Sequence, residues 1–146
     1  MNVDLPLAVG IPGEYISDQD LRLRLYRRIA DLRDETELDA LGSEFRDRFG
    51  QLPEMLQNLL YQMRVELRAE KAGLSSVNME SSGQILLKYA VPADGLEAAG
   101  LSLSKPLRLP DLGNGVRGGK SAYWVTVAKD EIWTVKLLDV LLQLGN

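Results

Sequence analysis

Two carboxylates and an arginine leave a single helical turn together. Glu44, Asp47 and Arg48 stand at i, i+3 and i+4, a spacing that groups side chains on one side of a helix. Paired carboxylates can serve as general acid and base, but that work needs a pocket and pKa values pushed apart. A turn on a helix surface implies neither. Three other readings apply: plain solvation, pairing within the helix to Arg48, and an acidic docking site for arginines of a partner, where bidentate bonds set register and specificity. On these residues alone solvation ranks above docking.

Other candidate chemistries fail on context. Asn114-Gly115-Val116-Arg117-Gly118-Gly119-Lys120-Ser121 ends like a phosphate-binding loop, but Asn114 stands where such a loop needs its leading glycine. The residues that follow, Tyr123 to Val127, read as a strand, whereas phosphate binding uses a helix N-terminus. The segment is expected to be a hairpin loop. Arg22, Arg24, Arg27 and Arg28 crowd one helix and could touch nucleic acid, but Asp18, Asp20 and Asp31 share it. A solvated face with i, i+4 pairs is the plainer reading, and Arg22 is expected to pair with a carboxylate of a neighbouring helix. Tyr123, Trp124 and Trp133 could form a binding surface, but their strand and helix spacing favours core for at least one tryptophan.

The chain has no histidine and no cysteine. Thiolate nucleophiles, imidazole bases and nearly every zinc site are thereby removed, so no catalytic residue, metal or cofactor is expected. The missing disulfides fit a cytoplasmic setting. No apolar run reaches the length of a membrane span.

These residues are positioned by a corner. Gly50 closes one helix, at a site suited to a left-handed backbone, and Pro53 opens the next. Between them lie only Gln51 and Leu52, so the two helices must be neighbours. Upstream, Val3, Leu5, Leu7 and Val9 alternate as a short strand, and Pro6 implies that it lies at a sheet edge. Ser17 or Asp18 caps a first helix with a stripe of Leu21, Leu25, Ile29 and Leu32. Thr36-Glu37-Leu38-Asp39 reads as a capping box for a second helix, with Leu38, Leu41 and Phe45 inward. A third runs from Pro53 to about Ala72, with Gly73 as its stop.

After Gly73 the period changes. Ser76 to Glu80 and Gln84 to Ala90 form a hairpin around Ser81-Ser82-Gly83. A short helix fits Pro92 to Gly100, a strand pair fits Leu107 to Leu109 with Ala122 to Val127, and a last helix starts at Asp130 and ends near Gly145. Helices followed by a mostly antiparallel small sheet and a terminal helix make an α+β fold. At 146 residues this is one domain's worth of chain. Its abrupt start reads as the excision of a single domain, 1–146, from a larger protein, with a helical half over 3–74 and a β-rich half over 75–146.

Formal net charge is −4, and its excess lies in residues 1 to 73, with 10 Lys and Arg against 14 Asp and Glu, while residues 74 to 146 carry 7 of each. That balance disfavours a dedicated phosphate-backbone binder and suits a basic protein partner.

Five segments occur in order: Ile11-Pro12-Gly13-Glu14-Tyr15-Ile16-Ser17-Asp18, Arg22-Leu23, Leu25-Tyr26-Arg27-Arg28-Ile29, Asp47-Arg48-Phe49-Gly50-Gln51-Leu52-Pro53 and Asn58-Leu59-Leu60. Together they resemble the C-terminal domain of bacterial transcription-repair coupling factors, over about residues 3 to 74. Beyond Leu74 only the order of elements matches.

The resemblance implies a regulatory role without catalysis of its own. Parent proteins of this family are ATP-driven double-stranded DNA translocases that dislodge stalled RNA polymerase and recruit the excision-repair protein UvrA. Their C-terminal domain docks on an N-terminal module resembling UvrB and hides the surface UvrA would use. Carried onto this chain, Glu44 and Asp47 would face basic residues of that module, with Arg48 in support, and docking then ranks above solvation. The alternative is a nucleic-acid- or polymerase-binding module acting through the Arg22 to Arg28 helix. Direct DNA binding and membrane contact are not expected.

Overall fold

A computed structural model of the chain describes residues 1–89, 115–118 and 122–145. The elements run β1 (Asn2–Asp4), α1 (Gln19–Ala30), α2 (Glu35–Phe49), α3 (Glu54–Lys71), β2 (Leu74–Met79), β3 (Ile85–Tyr89), β4 (Val116–Gly118), β5 (Ala122–Val125) and α4 (Trp133–Leu144). This is the α+β arrangement expected from the change of hydrophobic period. The chain divides into two compact units, one over Pro6–Leu67 and one made of Met1–Leu5 with the described residues from Arg68 on.

In the helical unit, apolar side chains at helical spacing meet in one cluster of Ile11, Ile16, Leu25, Ile29, Phe45 and Leu56, joined by Leu41. Asp18 caps α1, its carboxylate accepting from the Asp20 and Leu21 amides. The cap of α2 lies two residues earlier than the sequence reading placed it. Asp34, with an extended backbone, accepts from the Glu37 amide at 2.8 Å, and the Glu37 carboxylate accepts from the Arg33 amide at 3.2 Å. An aspartate in extended backbone outcompetes Thr36, which is taken into the first helical turn. Pro53 sits just before α3, and its carbonyl accepts the first helical bonds from the Leu56 and Gln57 amides. Arg64 fastens α3 to α2 by reaching both Glu35 and Asp39.

In the sheet unit the strand order is β1-β2-β3-β5-β4, parallel between β1 and β2 and antiparallel elsewhere. β1 is an edge strand, as Pro6 implies, but it ends at Asp4 rather than Val9. Proline offers no amide hydrogen to continue a ladder. The hairpin of β2 and β3 turns on Gly83 at φ 87°, with the Gly83 amide bonded to the Glu80 carbonyl. Register aligns Val77 with Leu87 and Leu87 with Tyr123, and likewise Ile85 with Val125, all buried on one face. An irregularity between Leu74 and Ser76 lets Leu74 join that buried set, although it stands three residues from Val77.

Three expectations for the second half change. Val116–Gly118, read as loop, is the edge strand β4 paired with β5, so the glycines there accompany an edge position rather than a free loop. α4 starts at Trp133 instead of Asp130, after a turn closed by the Glu131 amide on the Ala128 carbonyl. Trp124 and Trp133 are both only partly buried, and the aromatic that enters the core is Tyr123. Its position two residues before Val125 puts it on the buried face. The expected Pro92 to Gly100 helix, the Leu107 to Leu109 strand, and Asn114, Gly119, Lys120 and Ser121 lie outside the described residues.

Candidate functional site

The corner at the end of α2 is held from behind by Tyr15. Its hydroxyl shares one proton between the Phe45 carbonyl at 3.0 Å and the Gly50 carbonyl at 2.8 Å. One carbonyl lies in the last turns of α2 and the other just beyond its end, and a side chain 30 and 35 residues away in sequence ties them together. The Tyr15 ring meets Phe49 edge-on at 5.9 Å, and partial burial pushes its hydroxyl pKa up. The Gly50 amide donates to the Arg46 carbonyl at 3.0 Å. Gly50 has φ 93° and ψ −168°, which is not the left-handed helical cap expected from the sequence but an extended, mirror-image conformation open essentially to glycine alone.

On this scaffold the two carboxylates part company. Glu44 is gripped by Arg28 of α1, with Nη1 at 2.5 Å from Oε2 and Nη2 at 3.2 Å from Oε1. Arg48 approaches the same Oε2 at 3.5 Å and lays its guanidinium 4.9 Å over the Phe49 ring. The hydrogen bond from Arg28 holds the Glu44 carboxyl below its usual pKa, and the same bond raises the Arg28 guanidinium. Asp47 is exposed and makes no hydrogen bond or ion pair among the described residues. Glu44 also borders an open groove between α1 and α2 with Arg28, Asp31, Leu32 and Glu37. The arrangement offers one free carboxylate beside one whose charge is already shared with two arginines, on a backbone that is locally fixed.

The basic helix does not present its four arginines as one surface. Arg22 does not pair with a neighbouring carboxylate; its Nη1 donates to the Ile16 carbonyl at 2.7 Å, because the chain entering α1 brings that carbonyl within reach. Arg28 is committed to Glu44. Arg24 and Arg27 remain exposed, with no ion pair among the described residues. Sequence reasoning missed both Tyr15 as the corner's clamp and Arg28 as the partner of Glu44. A contact across helices has no local spacing rule, so neither left a periodic signal.

Comparison with known proteins agrees with this architecture. A profile of the TRCF domain family matches residues 5–94. The chain is 37% identical over 87 residues to a transcription-repair-coupling factor of Rickettsia bellii, covering 60% of this chain and 8% of that protein. It is 33% identical over 84 residues to the transcription-repair-coupling factor of Escherichia coli, covering 58% of this chain and 7% of that protein. The matched segment thus spans less than a tenth of these relatives. A crystal structure of the C-terminal domain of transcription-repair coupling factor superposes with a TM-score of 0.73, covering 99% of this chain and 88% of that one at 23% identity. At that identity the likeness establishes the fold.

Proposed function

Because this chain belongs to the TRCF domain family, we propose that it acts as the regulatory C-terminal domain of a transcription-repair coupling factor. It docks on a UvrB-like N-terminal module of the same parent protein, masks the surface that UvrA uses, and restrains the ATP-driven translocase that displaces stalled RNA polymerase in nucleotide-excision repair. The domain itself is non-catalytic on this reading.

The observation that carries the reading is an exposed Asp47 with no partner among the described residues, beside an arginine-held Glu44, on a corner locked by Tyr15. A carboxylate on a backbone that is already held leaves only its own side-chain rotamers to be ordered when it meets a partner's arginine. Glu44 contributes through its second lone pairs and by aligning Arg28 and Arg48, so Arg48 is a supporting residue. A polar contact of this kind is displaceable, as a switch requires, whereas a large apolar seam would resist opening. UvrA then binds only the open fraction, and its apparent affinity falls by that fraction.

The competing reading, nucleic-acid or polymerase binding through α1, retains Arg24 and Arg27 as exposed cations without an ion pair among the described residues, a small footprint for phosphate contacts. Titration of the chain against the separately expressed N-terminal module, with a tethered version to raise effective concentration, tests the proposal. Glu44→Ala with Asp47→Ala should leave the fold intact, weaken docking, and raise UvrA affinity in the full-length parent. Unchanged UvrA affinity in that double variant, with the fold verified, would remove the clamp reading. A steep loss of DNA affinity with salt, abolished by changing Arg24 and Arg27, would move the assignment to α1.

A further inference from the structure

The last helix buries one face and leaves a second apolar face in water. Leu137, Val140 and Leu141 are buried, while Ile132, Val135 and Leu142 are 66%, 55% and 44% exposed. With Asp139 these residues follow a 3-4-3 spacing along α4, the seam by which one helix packs on another. Elsewhere in the described chain the large exposed apolar residues are Met1, Leu23, Tyr26 and Met55, of which Tyr26 and Met55 meet beside Gly10 and are less exposed than Ile132 or Val135.

A second feature of α4 points the same way. Ile132 occupies the N-cap with no side-chain capping bond, at a position where Ser, Thr, Asp or Asn would stabilise the helix. An exposed isoleucine there breaks a local rule and returns nothing inside the unit, and such breaks concentrate at functional surfaces.

We propose that the outer face of α4 docks an amphipathic helix of a partner protein that carries a lysine or arginine opposite Asp139. Charge decides the occupant. Asp139 is exposed and has no ion pair among the described residues. The one basic residue of α4, Lys136, is buried with its ammonium 2.7 Å from both the Thr126 carbonyl and the Glu131 carboxylate. A second copy of this helix therefore brings no cation to Asp139, and closing two such faces would desolvate an unpaired carboxylate. The absence of outward basic residues on α4 also disfavours nucleic acid and anionic lipid. A stripe of this length is short of the roughly 800 Å² per partner of a stable interface, which suits a reversible contact. This inference stands apart from the clamp reading, because it uses neither Glu44 nor Asp47.

The test is an NMR titration of the full chain with a synthetic two-heptad helix, stapled to hold its shape, with leucines at its seam and one central lysine. A matched peptide carries aspartate in place of that lysine. Saturable shifts confined to the amides from Ile132 to Leu142 are expected, with the lysine peptide binding on the order of tenfold tighter. Asp139→Lys should reverse the preference, and Val135→Glu should abolish binding at an unchanged melting temperature. Equal affinity for the two peptides, shifts mapping elsewhere, or no binding at millimolar peptide overturns the proposal. So does self-association in sedimentation that Val135→Glu dissolves, because a second copy then covers the face.

Discussion

The corner at the end of α2 and the outer face of α4 are both exposed helix surfaces, yet they are built by opposite means. At the corner, Tyr15 fixes two carbonyls, Phe45 anchors the helix from inside, and Arg28 and Arg48 fix the charge of Glu44. Along α4 the outward side chains of Ile132, Val135 and Leu142 are apolar and stand exposed to water. Fixed charge gives orientation and reversibility, while an apolar stripe gives area and little direction. A surface that must release its partner is better built the first way, and one that must accept a helix the second.

The largest expected effect tests whether the corner is truly anchored. Phe45 is about fully buried at 1% exposure, so Phe45→Ala should destabilise the helical unit by about 3–5 kcal/mol, the usual cost of deleting a buried aromatic. Leu142→Ala, on the open side of α4, should stay within about 0.5 kcal/mol. Urea denaturation of both variants measures the difference. A Phe45→Ala cost no larger than that of Leu142→Ala would mean that the corner's geometry is not set by its core.

A pair of glycines sharpens the same contrast. Gly50 at φ 93° has open space where a Cβ would go, and Gly115 at φ 91° would place a Cβ 2.7 Å from the Thr126 carbonyl oxygen and 3.2 Å from the Lys136 ammonium. Gly50→Ala should therefore cost only backbone strain, about 1–3 kcal/mol. Gly115→Ala should cost more, because the Thr126 carbonyl that also receives the Gly115-facing Lys136 bond must shift. Thermal melts rank the two. Equal losses would show that the end of β5 yields easily and that Lys136 does not hold it.

The helical unit was legible because its signals are local. Leu25, Ile29, Leu38, Leu41 and Phe45 recur at helical spacing and are all buried, and Gly73 and Gly83 stop or turn the chain at positive φ. What escaped depends on distance in sequence or on competition between neighbours. Thr36 reads as the cap of α2 from its pattern, yet Asp34 holds that position because the backbone there is extended. Val65 and Ala69 of α3 are fully buried because that helix has more than one covered face, which a single stripe does not reveal. β4 is three residues long and glycine-bearing, so its pairing comes from β5 rather than from propensity. At the candidate site, spacing groups Glu44 and Asp47 on one side of α2, but their unequal states follow from Arg28, sixteen residues before Glu44 on another helix.

The smallest effect concerns that inequality. Arg28 holds the Glu44 carboxyl below its ordinary value of 4.5, so the folded state binds this proton less readily than the unfolded state. Stability from the pair is then fully present above the unfolded value and is lost as pH falls through the lower folded one. Because both partners are substantially solvated, the contribution should be only about 0.2–1 kcal/mol. Glu44→Gln removes the titration, so wild type and variant should differ near neutral pH and converge in acid, and added salt should narrow the gap. Curves that stay parallel from neutral pH to about pH 3 would mean the ion pair carries no part of the fixed geometry. The orientation of the corner would then rest on Tyr15 and Phe45 alone, and the distinction between its held and free carboxylates would lose its energetic basis.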